Sequence, residues 1–260
     1  MKYLVSFILA IALLISCQKE DRAFETSNKL ISFSPNFSQT DTRATDDYSL
    51  SDYFNACSTV TVRMILGNEI KTAKYGYNAD TKKLEYADGT LLYYPENNSP
   101  YQLIILWPDE ETRTQLGEDD YRHQEDKSSF IRCDMLSDTV NNAVTVEYLP
   151  IYFKHSKSKL TLIPVLSGLD TIDAVVTNLT VNGYKPFHNT ATPDVDTYQL
   201  IYDLSIEAET TISNNKVAVW LVINRDTEIE YHFKFDASNL KAGENRKINI
   251  VIPLLPYEFE

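Results

Sequence analysis

The sequence predicts an all-β protein. Apolar residues recur at every second position through most of the chain, and turn-forming residues interrupt that pattern about every ten residues. No stretch holds a helical period long enough to lay a helix across a sheet. About a dozen short strands follow, a number and spacing that suit sandwich architecture. So many strands usually divide into two packed units, and the break is expected near residues 141–148. That gives 44–142 and 143–260 as an N-terminal and a C-terminal β-sandwich.

The first residues read as targeting rather than fold. MKYLVSFILAIALLISC has one positive charge at Lys2 and an apolar run from Leu4 to Ile15, broken only by Ser6. The run falls short of the roughly 20 residues a bilayer core requires and fits the apolar centre of a signal peptide. Leu14-Ile15-Ser16-Cys17 resembles the lipobox of bacterial lipoproteins. Residues 1–17 are therefore expected to be a signal peptide cut between Ser16 and Cys17, with the Cys17 thiol joined to a diacylglycerol. Two or more acyl chains anchor stably, at about 0.8 kcal/mol per buried CH₂. Gln18-Lys19-Glu20-Asp21 is similar to the short acidic signals that send lipoproteins to the cell surface in Bacteroidetes; a plain solvated tether is the alternative.

Each later segment has its own pattern. STVTVRMIL places Val60, Val62, Met64 and Leu66 on one face and Thr61 and Arg63 on the other. KTAKYGYNADTKKLEYADGTLLYYP reads as strand, turn, strand, turn, strand, with turns at Asn78-Ala79-Asp80 and Ala87-Asp88-Gly89. YQLIILWP is a continuous apolar run, as in a strand buried on both sides. Residues 109–127, DEETRTQLGEDDYRHQEDK, are expected to form an exposed loop or crossover, and SSFIRCDMLS one helical turn. The β pattern resumes in NAVTVEYLPIYFKHSKSKLTLIPVL. Asn182-Gly183 is a strong hairpin signal. Ile229, Tyr231, Phe233 and Phe235 alternate, as do Ile248, Ile250 and Ile252. No internal repeat is present.

Composition bounds the function. The formal charge of −13 is spread through mixed acid and base, which argues against nucleic acid and against a polybasic membrane patch. Only 7 glycines are available, little material for phosphate loops. After Cys17 the cysteines are Cys57 and Cys133. An extracytoplasmic compartment permits a disulfide between them, and two buried thiols are the alternative.

The side chains form no catalytic constellation. His123, His155, His188 and His232 are scattered, with no partner at zinc-ligand spacing, and His155 reads as a strand-end residue. No serine elbow or thiol-nucleophile signature occurs. Carboxylates are too many for any pair to stand out as a glycosidase dyad. Asp194 and Asp196 could ligate calcium from a loop, but an ordinary Pro-Asp turn accounts for them. No enzyme, metal or cofactor is expected.

The parts together resemble the fimbrillins, the type V pilus subunits of Bacteroidales. The resemblance rests on the lipobox, the polar tether, the I-x-F strand, and Thr-Arg-Ala-Thr at residues 42–45. It continues through LLYYPENNSPYQLIILWP, SSFIRCDMLS, LPIYFKHSKSKLTLIPV and NLKAGENRKINIVI, and so covers most of the mature chain. It implies two transthyretin-like β-sandwich domains in tandem and a role in surface fimbriae and adhesion. It also implies maturation by a trypsin-like protease, here between Arg43 and Ala44. That cut removes residues 18–43, the tether and first strand, and a neighbouring subunit's strand fills the groove left behind. The implied partners are other fimbrial subunits, and the outer membrane through lipid on Cys17 before processing.

The residues suit that scheme. A strand over residues 30–34 would bury Ile31 and Phe33, with Leu30 beside them, at roughly 1.5–3 kcal/mol for each large side chain. Removing it exposes an unpaired edge, a template for strand addition. Arg43 is the one basic residue between Leu30 and Arg63. Little sequence follows INIVIPLL, so either residues 247–255 are themselves the donor strand or the chain accepts without donating, as a tip or minor subunit would. The competing reading is a surface glycan-binding lipoprotein that helps capture polysaccharide. It would need Tyr93, Tyr94, Tyr101 and Trp107 as an exposed stacking platform; at strand spacing they read as core and hairpin flank.

Overall fold

The computed structural model describes residues 29–39, 48–96, 99–168, 174–189, 201–206, 212–223, 227–237 and 240–254. Ser16, Cys17, Arg43, Ala44, Asp194 and Asp196 lie outside the described residues.

The first sheet contains β1 (Phe33–Phe37), β2 (Thr59–Leu66), β3 (Glu69–Asn78), β4 (Lys83–Gly89), β5 (Gln102–Trp107), β6 (Leu136–Asn141) and β7 (Leu149–His155). They run in the order β1-β4-β3-β2-β5-β6-β7 and close into a barrel. Alternation sets the interior: Val60, Val62 and Met64 of β2 and Leu103, Ile105 and Trp107 of β5 are buried. Ile104 and Leu106 on the outer face of β5 are half-buried, so that strand is less enclosed than its apolar run implies. The Asn78 side chain makes the β3–β4 turn by accepting from the amides of Asp80 and Thr81 at 3.0 and 3.2 Å. Gly89 ends β4 at φ +93°, where a Cβ would stand 2.8 Å from the Thr72 carbonyl oxygen. Only glycine fits there.

Beyond Gly89 the third expected strand is absent; residues 91–94 contribute one bridge, Leu30 to Tyr93. An unexpected helix, α1 (Leu50–Ala56), starts at a capping box in which Ser49 and Asp52 bond each other's amides. Residues 109–127 form α2 (Glu110–Gln115) and α3 (Glu118–Arg122) rather than a loop. Polarity did not prevent packing, because the polar groups serve the backbone. Asp109 accepts from the amides of Glu111 and Thr112. Arg113 donates to the carbonyls of Trp107, Pro108 and Leu136. SSFIRCDMLS supplies most of α4 (Lys127–Cys133), longer than one turn, with Asp126 as its cap.

The second unit holds β8 (Ser158–Gly168), β9 (Ala174–Val181), β10 (Phe187–Asn189), β11 (Ile201–Ile206), β12 (Ile212–Ile223), β13 (Thr227–Ala237) and β14 (Asn245–Leu254). Four strands, β10-β11-β8-β14, form one sheet and three, β13-β12-β9, another. Leu160, Leu162, Leu204 and Ile252 of the first pack with Val176, Leu179 and Val181 of the second, which makes this unit a sandwich. Asn182 and Gly183 turn β9 with φ of 50° and 83°. The segment beyond pairs back through Val181 and Tyr184 only, before β10 joins the other sheet.

The chain is thus all-β in its main architecture, and the sheet of the first unit, expected as a β-sandwich, closes into a barrel. Strand pairing also places β7 in that barrel, against both β6 and β1. The first sheet therefore runs on to His155, past the division expected at 142/143. That division marks a stretch without strand pairing, residues 142–148, which connects two barrel strands rather than two units.

Candidate functional site: the leading strand and its slot

The barrel closes through β1, and the backbone shows how. β1 lies parallel to β7 over five register pairs, Phe33↔Leu149 to Phe37↔Phe153, but meets β4 at the single pair Phe33↔Leu84. Leu149 donates to the Ser32 carbonyl at 2.8 Å and Ser38 donates to Phe153 at 2.9 Å, so even-numbered residues face β7. Ile31 donates to Leu92 at 2.9 Å and Lys29 accepts from Tyr94 at 3.1 Å, so odd-numbered residues face the other flank. Pro35 is odd. The amide it lacks falls where pairing with β4 has already stopped, which is why a proline is tolerated inside this strand.

Apolar side chains hold the segment from within. Ile31 and Phe33 are both 0% exposed. Phe33 meets the Tyr75 ring edge-on at 4.9 Å, and the Tyr75 hydroxyl donates to the Ile31 carbonyl at 2.9 Å. Leu30 is half-buried, and Lys83 Nζ donates to Ser34 Oγ at 2.9 Å. Phe37 stacks on His155 at 5.5 Å and stands edge-on to Tyr53. The strand expected over residues 30–34 is therefore displaced toward the C-terminus, and Phe37 is an anchor the sequence reading missed. Its signal was present: Ile31, Phe33, Pro35 and Phe37 keep the period of two straight through the proline.

Beneath Phe37 lies a buried polar pair. His155, at the end of β7, has Nδ1 2.8 Å from Asp134 Oδ2, and the Tyr53 hydroxyl donates to the same oxygen at 2.6 Å. Among the described residues no cluster of three potential metal ligands occurs. His123 and His232 are exposed beside Glu125 and Glu230. His188 stacks on Tyr202, and burial lowers its pKa.

Tyr48 ties the chain to the second unit. Tyr48 is buried, donates to Asp203 Oδ2 at 2.9 Å, and packs on Phe130. The same aspartate accepts from Thr161 at 2.7 Å and from Asn189 at 3.0 Å. No local sequence signal announces this junction, since its members are far apart in the chain.

Cys57 and Cys133 are free thiols, so the bridge is not formed. Cys57 Sγ lies 3.6 Å from Asp109 Oδ2, while Cys133 Sγ faces the Asp120 carbonyl at 3.5 Å. The four aromatics do not make a platform either. Tyr93 is 38% exposed, but Tyr94, Tyr101 and Trp107 are buried, and the Trp107 indole donates to the Cys57 carbonyl at 2.7 Å. No helix among the described residues is long and apolar enough to cross a membrane.

No protein-family model matches this chain, and no curated protein does. Solved structures do, among them two each named "putative cell adhesion protein". One, from Bacteroides ovatus, superposes with a TM-score of 0.56 at 10% identity, covering 86% of this chain and 92% of its own. The other, from Bacteroides uniformis, gives 0.52 at 12% identity over 86% and 93%. The chain has their fold. At such identities the likeness is one of backbone path, and it takes in most of both chains.

Proposed function

We propose that the chain is a cell-surface adhesive subunit of a fimbria. It is lipid-anchored through Cys17 in the outer membrane, and assembles when cleavage between Arg43 and Ala44 lets its leading strand be replaced by a strand of a neighbouring subunit. One observation carries this reading: β1, with Ile31 and Phe33 fully buried, closes the barrel, and Arg43 stands between it and Tyr48 in the sequence. Without β1 the sheet would open between β4 and β7, leaving two edges around an apolar slot lined by Tyr75. An exposed edge of this kind pairs with added strands. The retained piece would begin four residues before Tyr48, which is tied to Asp203 independently of β1. Two structures of this fold that carry the name of adhesion proteins support the surface role. We further read the two units as transthyretin-like, the first closed by its own removable strand, with the hand-over between β7 and β8.

The position we assign is a tip or minor subunit. β14 runs parallel to β8 over ten register pairs, Asn245↔Lys159 to Leu254↔Gly168, and its Ile250 and Ile252 fill its own core. Donating it would dismantle the second sandwich, so the chain suits accepting a strand better than giving one.

The test is to express the precursor with an arginine-specific trypsin-like protease and sequence the new N-terminus. Ala44 is expected in the wild type and no cut in Arg43→Ala. A first residue elsewhere, or an uncut chain, would overturn the reading.

A further inference from the structure

Resting on the strand-exchange reading, we infer that Lys83 and Tyr148 form a clasp over β1 that selects the strand the slot accepts: one with a small hydroxyl residue between two large apolar ones. Ile31 and Phe33 are fully buried inside the barrel, so Ser32 and Ser34, which alternate with them, turn to the outer face. The register pair Phe33↔Leu84 sets Ser34 beside Lys83 on the β4 flank, and Phe33↔Leu149 sets Tyr148 on the β7 flank. Leu84 and Leu149 are buried, which turns Lys83 and Tyr148 outward as well.

β4 and β7 stand on opposite sides of β1, two strand spacings or about 9–10 Å apart. Lys83 nevertheless brings its ammonium to 4.9 Å from the centre of the Tyr148 ring, and it donates to Ser34 Oγ at 2.9 Å. Its side chain therefore crosses the outer face of β1. It can do so because serines stand beneath it. A longer side chain at position 34 would occupy the path of the lysine, lift the ammonium off the ring and leave it without the hydroxyl. One misfit thus removes both a cation–ring contact and a charge-assisted hydrogen bond.

An incoming strand must then meet two demands. Its inward residues must fill the space of Ile31 and Phe33, and its residue beside Lys83 must be small and able to accept a hydrogen bond, as serine is. β14 of a second copy meets the first demand and fails the second. Between its buried Ile250 and Ile252 stands Val251, 55% exposed, branched and without an acceptor on its side chain. The strand that fits is therefore not β14 of a second copy but a strand of a different subunit, in which serine separates large apolar residues.

The test uses the full chain with residues 42–45 replaced by the recognition sequence of a site-specific protease, so that it does not depend on a cut at Arg43. After the nick, excess fluorescent peptide of residues 29–39 is offered in mild denaturant, the denaturant is removed, and binding is read by anisotropy. The wild-type peptide is expected to be held, and a Ser34→Leu peptide about tenfold less tightly, the loss of one hydrogen bond and one cation–ring contact. A peptide of residues 247–255 is expected to bind no better than the Ser34→Leu one. In nicked Lys83→Met, with its melting temperature checked, the preference for serine is expected to fall to about twofold or less; Tyr148→Leu is the second variant. Equal binding of the serine and leucine peptides, or a preference that both variants leave intact, would overturn the inference alone. Retention of no peptide would overturn it together with strand exchange, whatever happens at Arg43.

Discussion

Phe33 is fully buried edge-on to Tyr75, on a strand held between β7 and the start of β4. Phe33→Ala is expected to lower stability by about 3–5 kcal/mol, seen as a lower urea midpoint at unchanged slope. Asp109 makes a different kind of contribution. Burial tends to raise its pKa, but hydrogen bonds from Thr59 and Thr112, with Lys74 nearby, outweigh that and hold it below the ordinary value. A depressed carboxyl stabilises the fold above its unfolded pKa, and that contribution is lost as pH falls through the folded pKa. Asp109→Asn is therefore expected to lose less stability than wild type on acidification below about pH 4, in melts taken across that range. At Cys133, burial pushes the thiol up to about 12. Alkylation of the folded chain near neutral pH should spare it, with mass spectrometry as the readout; prompt modification would mean α4 opens readily.

At the scale of elements, β1 shows what a period-two pattern conveys. Alternation marks Ile31 and Phe33 as inward, in a strand expected over residues 30–34. The strand continues because parallel pairing alternates its bonds between flanks, and Pro35 falls on the flank with no partner. The acidic crossover gives the converse lesson. Its composition indicated solvated chain, but α2 forms because Asp109 and Arg113 satisfy backbone groups around Trp107 and Leu136, and such use of charge leaves no mark on periodicity. The element-scale prediction concerns β1 after cutting. Held without a covalent link, the leading fragment should dissociate in mild denaturant while circular dichroism still reports a folded body. A fragment that leaves only when the body unfolds would show the barrel cannot survive open.

The whole molecule depends on a buried polar junction between barrel and sandwich. Gln124, fully buried, donates to the Ser205 carbonyl and accepts from the Ser205 amide, both at 2.9 Å, and Tyr48 reaches Asp203. Gln124→Ala would strand both backbone groups of Ser205. It is expected to cost about 2–4 kcal/mol, at roughly 1–3 for each unpaired buried group. Calorimetry should then show one unfolding transition separating toward two. Unchanged, single-step unfolding would mean the units are coupled elsewhere.

By itself the sequence determined the class of the protein: strands, turns, inward faces and the apolar leading segment all follow from local rules of spacing and backbone conformation. Only the tertiary structure decided that the first sheet closes into a barrel, that β7 belongs to it, and that Gln124 meets Ser205. Closure depends on which distant edges meet, and a buried pairing on what surrounds it after folding. Neither quantity is carried by neighbours along the chain.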